Sequence, residues 1–194
     1  MKKINKIELR DLIIDGISTE ELNSKYDYSG ITEMAYMFDN CISLKSVPLF
    51  DTSNVVDMHR MFSNCISLKS VPLFDTSNVT DMSFVFDNCS SLEYVPLFDT
   101  SNVTDMNYMF EYCVLLKSVP LFNTSNVINM SVMFNNCTLL ESVPEFDTAN
   151  VTDMTYMFEY CSSIKYINPY NFKGFDFRTL DNVHLKETYP ELYI

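Results

Sequence analysis

Residues Met82, Val85, Phe86 and Cys89 stand at spacings i, i+3, i+4 and i+7. That is one apolar face of a helix. Asn78 precedes them and Asp81 follows it by three residues, the places from which polar side chains take up the free N–H groups of a helix start. The spacing predicts a helix over about 79–89. The following segment, Leu92-x-x-Val95-x-Leu97, reads as a short extended stretch with Leu, Val and Leu turned inward. The pattern recurs at a fixed step of 24 residues. Cys41, Cys65, Cys89, Cys113, Cys137 and Cys161 keep it, as do Phe38 to Phe158 and Met34 to Met154. Six units follow without insertion: 26–49, 50–73, 74–97, 98–121, 122–145 and 146–169. The first is worn at its start, with Tyr26 and Gly30 in place of Phe and Asn.

One such unit is too small to bury its own apolar face, so the units must stack. A helix and a short strand per unit give an α/β repeat solenoid, with short parallel strands on one face and short helices on the other. Parallel strands at about 4.8 Å per coil make a sheet about 25–30 Å across. Pro48, Pro72, Pro96, Pro120 and Pro144 recur inside the strand segment. Proline cannot donate to a ladder, so each strand is expected to be very short and to end there. The open ends of a solenoid expose its core and need caps. Residues 1–25 are expected to form an N-terminal helical cap, with a helix over 4–15 ended by Gly16 and a second begun at Ser18-Thr19-Glu20-Glu21. Residues 170–194 are expected to form the C-terminal cap through Tyr170, Phe172, Phe175 and Phe177.

The unit L-x-x-V-P-L-F-D-T-S-N-V-T-D-M-x-x-M-F-x-N-C-x-S resembles the repeat of BspA-like leucine-rich-repeat proteins. It also resembles the related repeat family of unknown function known from mycoplasma surface lipoproteins. The likeness covers residues 26–169, and D-T-S-N-V-T-D-M and M-F-x-x-C carry it. It implies a curved leucine-rich-repeat solenoid with roles in adhesion or partner binding and without a catalytic site. Two features depart from the family. The start of the chain shows neither a leader nor a lipid-attachment cysteine, and Thr76 stands where the usual repeat has asparagine.

The charge is concentrated in the repeats. Residues 26–169 hold 17 acidic and 5 basic side chains, −12 of a total of −13. An acidic surface repels phosphate backbones, so nucleic acid is not expected as a partner. No stretch approaches the roughly 20 apolar residues of a membrane helix. The opening Met-Lys-Lys is followed by charged residues rather than a cleavable leader. A cytoplasmic location is therefore expected, or the cell surface if a leader has been removed.

The six cysteines lie on one line pointing inward, poorly aimed for pairing and without the converging spacings of a zinc site. A buried column of free thiols is expected. The aspartates form two columns, Asp51, Asp75, Asp99, Asp147 and Asp57, Asp81, Asp105, Asp153. Calcium-binding repeats need turn glycines, which are nearly absent, and one unit carries Asn123 and Asn129 instead. Turn and cap roles suit both Asp and Asn. Of the two histidines, His59 and His184, the first is expected to be solvated beside Arg60. No phosphate loop or nucleophile elbow occurs, and neither a cofactor nor a metal is expected.

Positions that vary from unit to unit are the candidates for recognition. One group is Lys45, Lys69, Glu93, Tyr94, Lys117, Glu141, Lys165 and Tyr166, expected to face outward from the sheet. The other is Tyr36, Phe84, Tyr108 and Tyr156, expected on the outer side of the helices, with Arg60 and Val132 at the same place. A row of exposed aromatics suggests either a contact surface or packing between neighbouring coils. The reading these residues favour is a non-enzymatic protein–protein interaction module. The alternative is a structural or self-assembling adhesion protein at the cell surface.

Overall fold

The computed structural model describes residues 1–194 except Lys173, Leu180, Asp181, Asn182 and Ile194; the side chains of Thr179, Val183, His184, Leu192 and Tyr193 also lie outside the described set. The chain opens with β1 (Lys2–Lys3), α1 (Lys6–Ile14), α2 (Thr19–Lys25) and β2 (Tyr26–Asp27), and β1 pairs in parallel with β2. Asn5 caps α1 by accepting from the N–H groups of Ile7 and Glu8, and the Glu8 carboxylate accepts from the Asn5 N–H in return. Gly16 turns the chain with φ +85°, and Ser18 caps α2. The apolar faces, Leu9, Ile13 and Leu22, belong to the same buried core as the repeats.

The repeats themselves hold no helix. From β2 to the 3₁₀ turn at Pro169–Asn171, the described chain forms turns and isolated bridges. The helix expected over 79–89 is instead a ribbon of tight turns. In the second unit, the N–H groups of Met58, Arg60, Phe62 and Asn64 donate to the carbonyls of Asp81, Ser83, Val85 and Asp87 in the next coil. The intervening Met61, Ser63 and Cys65 donate three residues back, to Met58, Arg60 and Phe62. A helix satisfies every donor four residues back; here the donors divide between the local turn and the neighbouring coil. Each turn closes on a left-handed residue, Arg60 (φ 54°) and Asn64 (φ 60°), and the same two positions are left-handed in every unit. Such a residue costs about 1–2 kcal/mol outside glycine. The bonds to the next coil offset that cost.

The turn ribbon buries Met58, Met61, Phe62 and Cys65, the same i, i+3, i+4, i+7 set that a helix would bury. Periodicity therefore identifies the inner residues and misnames the backbone. Asn78 does not cap a helix: its Nδ2 donates to the Ser53 carbonyl of the preceding coil at 2.8 Å. Nor is there a continuous sheet. Parallel bridges run from Glu33 through Asp57, Asp81, Asp105 and Asn129 to Asp153, one residue per coil. The expected strand segment contributes a bridge at Ser142–Tyr166 and single bonds such as Glu93 N–H to Lys69 O. Its last leucine does not point inward: Leu97 is exposed, and Phe98 takes the interior.

Phenylalanine forms the spine. Phe62, Phe86, Phe110, Phe134 and Phe158 stack on successive neighbours at 5.5–5.7 Å with nearly parallel rings. A second column, Phe74, Phe98, Phe122 and Phe146, packs beside it. At the far end Phe172 and Phe175 meet Phe158 edge-on and end the stacking. Tyr170, expected among the closing residues, is 79% exposed.

Candidate interaction surface

The D-T-S-N corner binds coil to coil. Asp75 accepts from the Ser77 N–H. Thr76 is buried and donates forward to the Asp99 carbonyl at 2.8 Å. Asn78 reaches back. Both aspartate columns are turn-formers: Asp57, Asp81, Asp105, Asn129 and Asp153 each accept from the N–H two residues on. Asparagine does this as well as aspartate, which accounts for the unit that carries amides. Among the described residues, no group of three or more His, Cys, Asp or Glu side chains is placed to hold a metal ion. The thiols are free and all but Cys41 are buried. Cys89 donates to the Phe62 carbonyl of the preceding coil at 3.1 Å, and burial pushes the thiols of Cys65 and Cys161 up to about 12.

One stripe follows the first left-handed position of each coil. Tyr36 and Tyr156 are exposed, while Arg60, Phe84 and Tyr108 are half-buried and Val132 is buried. The middle of the stripe packs on itself. Phe84 stacks on Tyr108 at 4.3 Å, and the Arg60 guanidinium lies 4.2 Å over Phe84. His59 is half-buried rather than free in solvent: its ring nitrogens meet the Tyr36 hydroxyl at 3.1 Å and Ser83 Oγ at 2.6 Å. His184 lies outside the described side chains.

The second left-handed column was missed as a surface feature in the sequence. Four of its members are Asn40, Asn64, Asn88 and Asn136, and the other two are Tyr112 and Tyr160, 45% and 58% exposed. The asparagines carried the signal, since Asn is the side chain that best tolerates this backbone region after glycine. Between the two columns runs a row of carboxylates, Asp39, Asp87, Glu111 and Glu159, partly buried. Burial, then the charge of Asp87, pushes Glu111 up to about 7. Asp87 is also raised by burial, against the hydrogen bond from Ser63 and the charge of Arg60. Two coils thus present the same rung: Tyr108, Glu111 and Tyr112, then Tyr156, Glu159 and Tyr160.

About half a coil away along the chain lie Lys45, Lys69, Glu93, Tyr94, Lys117, Lys165 and Tyr166, all exposed, with Glu141 half-buried. Lys69 pairs with Glu93 at 3.4 Å and Lys165 with Glu141 at 2.6 Å. The two groups of candidates therefore lie nine or ten residues apart along each coil.

These features define a stacked-coil repeat solenoid of the leucine-rich-repeat kind. A crystal structure of a leucine-rich repeat protein from Eubacterium ventriosum is similar, with a TM-score of 0.55 and 25% identity over 74% of this chain. This chain spans 38% of the length of that one. The family described as "Mycoplasma protein of unknown function, DUF285" matches residues 13–113 and 93–183. The chain belongs to that family. No curated protein matches it.

Proposed function

We propose that the chain is a non-enzymatic protein-binding module that engages its partner through the tyrosine–carboxylate rungs. The carrying observation is the repetition of one rung in two coils, Tyr108–Glu111–Tyr112 and Tyr156–Glu159–Tyr160. The two are separated by two coil spacings, about 10 Å. Each tyrosine stands on a left-handed residue whose backbone N–H in the first rung is bonded to the next coil, Tyr108 to Ser131 and Tyr112 to Asn135. The rings therefore sit on a fixed backbone and lose little freedom on binding. Tyrosines of this kind supply much of the energy in protein interfaces, and the adjoining carboxylates favour a partner that brings cationic side chains.

Affinity capture from source-cell lysate, read by mass spectrometry, tests the reading. The natural chain is compared with one carrying Tyr108→Ser, Tyr112→Ser, Tyr156→Ser and Tyr160→Ser. A protein held by the natural chain and lost by the variant is the expected result. A parallel control with Tyr94→Ala, Lys117→Ala and Tyr166→Ala examines the second group of candidates. Loss in that control alone would move the site there, and retention by both variants would remove the proposal.

A further inference from the structure

The leucine that ends each L-x-x-V-P-L segment forms a second exposed stripe. Leu49, Leu73, Leu97 and Leu121 are 49%, 60%, 59% and 59% exposed. In the next coil Glu145 takes the place and accepts from Asn168 Nδ2 at 3.2 Å. The apolar stripe therefore covers four coils and stops. In a stacked chain, exposed positions follow one another around the coil in sequence order. Lys45, Lys69 and Lys117 border the stripe on one side, and Asp51, Asp75 and Asp99 on the other. Hydrogen bonds from Ser77 and Ser101 hold Asp75 and Asp99 below the usual carboxylate range, so that border stays charged. Contiguous exposed apolar surface with a polar rim marks an interaction site.

We propose that this stripe is the contact surface of a homodimer, a second copy laying its own leucines against it about a two-fold axis parallel to the stripe. The two borders select both the occupant and the axis. A two-fold axis along the stripe exchanges the borders within each coil, so Lys45 and Lys69 of each copy face Asp51 and Asp75 of the other on both flanks, and Lys117 faces Asn123. A two-fold axis across the stripe would set lysine against lysine and aspartate against aspartate. A second copy thus supplies both the apolar strip and the matching charges, as an isologous interface requires. Glu93 lies opposite Asp99 in this arrangement and is paired with Lys69 of its own chain at 3.4 Å.

The size of the stripe sets the strength. Four coils at about 4.8 Å span about 19 Å. The six steps from Lys45 to Asp51 span at most about 20 Å at about 3.3 Å per residue. That is on the order of 400 Å² per partner, half the roughly 800 Å² of a standard interface. The dimer is accordingly weak and concentration-dependent. It uses residues other than the tyrosine–carboxylate rungs and is independent of the function proposed for them.

Sedimentation velocity over micromolar to near-millimolar concentrations tests the proposal. The natural chain is expected to pass from monomer to dimer. Leu73→Asp with Leu97→Asp is expected to stay monomeric throughout, with an unchanged circular-dichroism melt showing that it is folded. Asp51→Asn with Asp75→Asn keeps the turn, as Asn123 does in its own coil. It is expected to weaken association several-fold at low salt and less at high salt. A natural chain that remains monomeric, or a dimer that survives the leucine changes, overturns the proposal. A dimer indifferent to the aspartate changes overturns its axis. Capture of a partner through the tyrosines is unaffected by the leucine variant if both readings hold.

Discussion

The interior columns and the exposed stripes of this solenoid follow different rules. Inside, one residue type serves coil after coil. Phe38, Phe62, Phe86, Phe110, Phe134 and Phe158 are all buried, each beside the same kind of neighbour. Along the left-handed stripe the residues read Tyr, Arg, Phe, Tyr, Val, Tyr in successive coils, although all six have φ between 54° and 61°. The geometry of a position is thus set by the coils above and below it, and the side chain is free to vary wherever it reaches solvent. Under the proposed function, stability and recognition are carried by different columns and should be separable by mutation.

The largest effect is expected inside. Phe110 contacts Phe86, Phe122 and Phe134. Phe110→Ala should cost about 3–5 kcal/mol, read as a lower denaturant midpoint. A cost below about 1 kcal/mol would mean that the spine collapses to refill the gap and that interior and exterior are less distinct than they look.

A smaller effect is expected at Glu111, which belongs to both regions. Its carboxyl is pushed up to about 7 in the folded chain from an ordinary 4.5. The folded state therefore binds the extra proton between these values. Its ionisation destabilises the fold progressively as pH rises from about 4.5 through about 7, and the penalty is complete above that. Glu111→Gln should raise stability at pH 8 by about 1–2 kcal/mol, a figure already reduced for solvent screening. The gain should vanish near pH 4.5. Thermal melts at the two pH values check the sign, and an equal gain at both would show that charge is not the cause.

The smallest effect on stability is expected outside. Tyr160→Asn places at a left-handed site the residue that four other coils already have there. Stability should change by no more than about 0.5 kcal/mol, while capture of the partner should fall. A large loss of stability would show that the tyrosine packs as well as displays.

The inner residues were legible because burial repeats at a spacing that does not depend on how the donors are satisfied. The backbone was not legible for the same reason: Met82, Val85, Phe86 and Cys89 suit a helix and a turn ribbon equally. The left-handed turns at Arg60, Phe84 and Val132 contradict local preference, and only contact with the next coil decides them. The asparagines of M-F-x-N-C were the one readable sign of those turns. The aspartate columns form turns, as the replacement by Asn123 and Asn129 implies, but the helix-cap role expected beside it has no helix to cap. Leu97 was assigned to the core by its place in the L-x-x-V-x-L pattern, whereas the chain turns at Pro96 and gives the interior to Phe98. The pairing of His59 with Tyr36 and Ser83 spans three coils, and no local pattern encodes it.

The hydrogen bonds of the turn ribbon share one direction. At the junction of the second and third coils four of them point forward, from Met58, Arg60, Phe62 and Asn64, against two pointing back, from Thr80 and Glu93. Peptide dipoles aligned in this way add along the axis, as they do in a helix. The molecule is therefore an electrically polar rod. At its C-terminal end the N–H groups of Met154, Tyr156, Phe158 and Tyr160 have no acceptor among the described residues. Those N–H groups are the positive end of the ribbon's dipoles. In an electric field or beside a charged surface, such a rod has a preferred way to point.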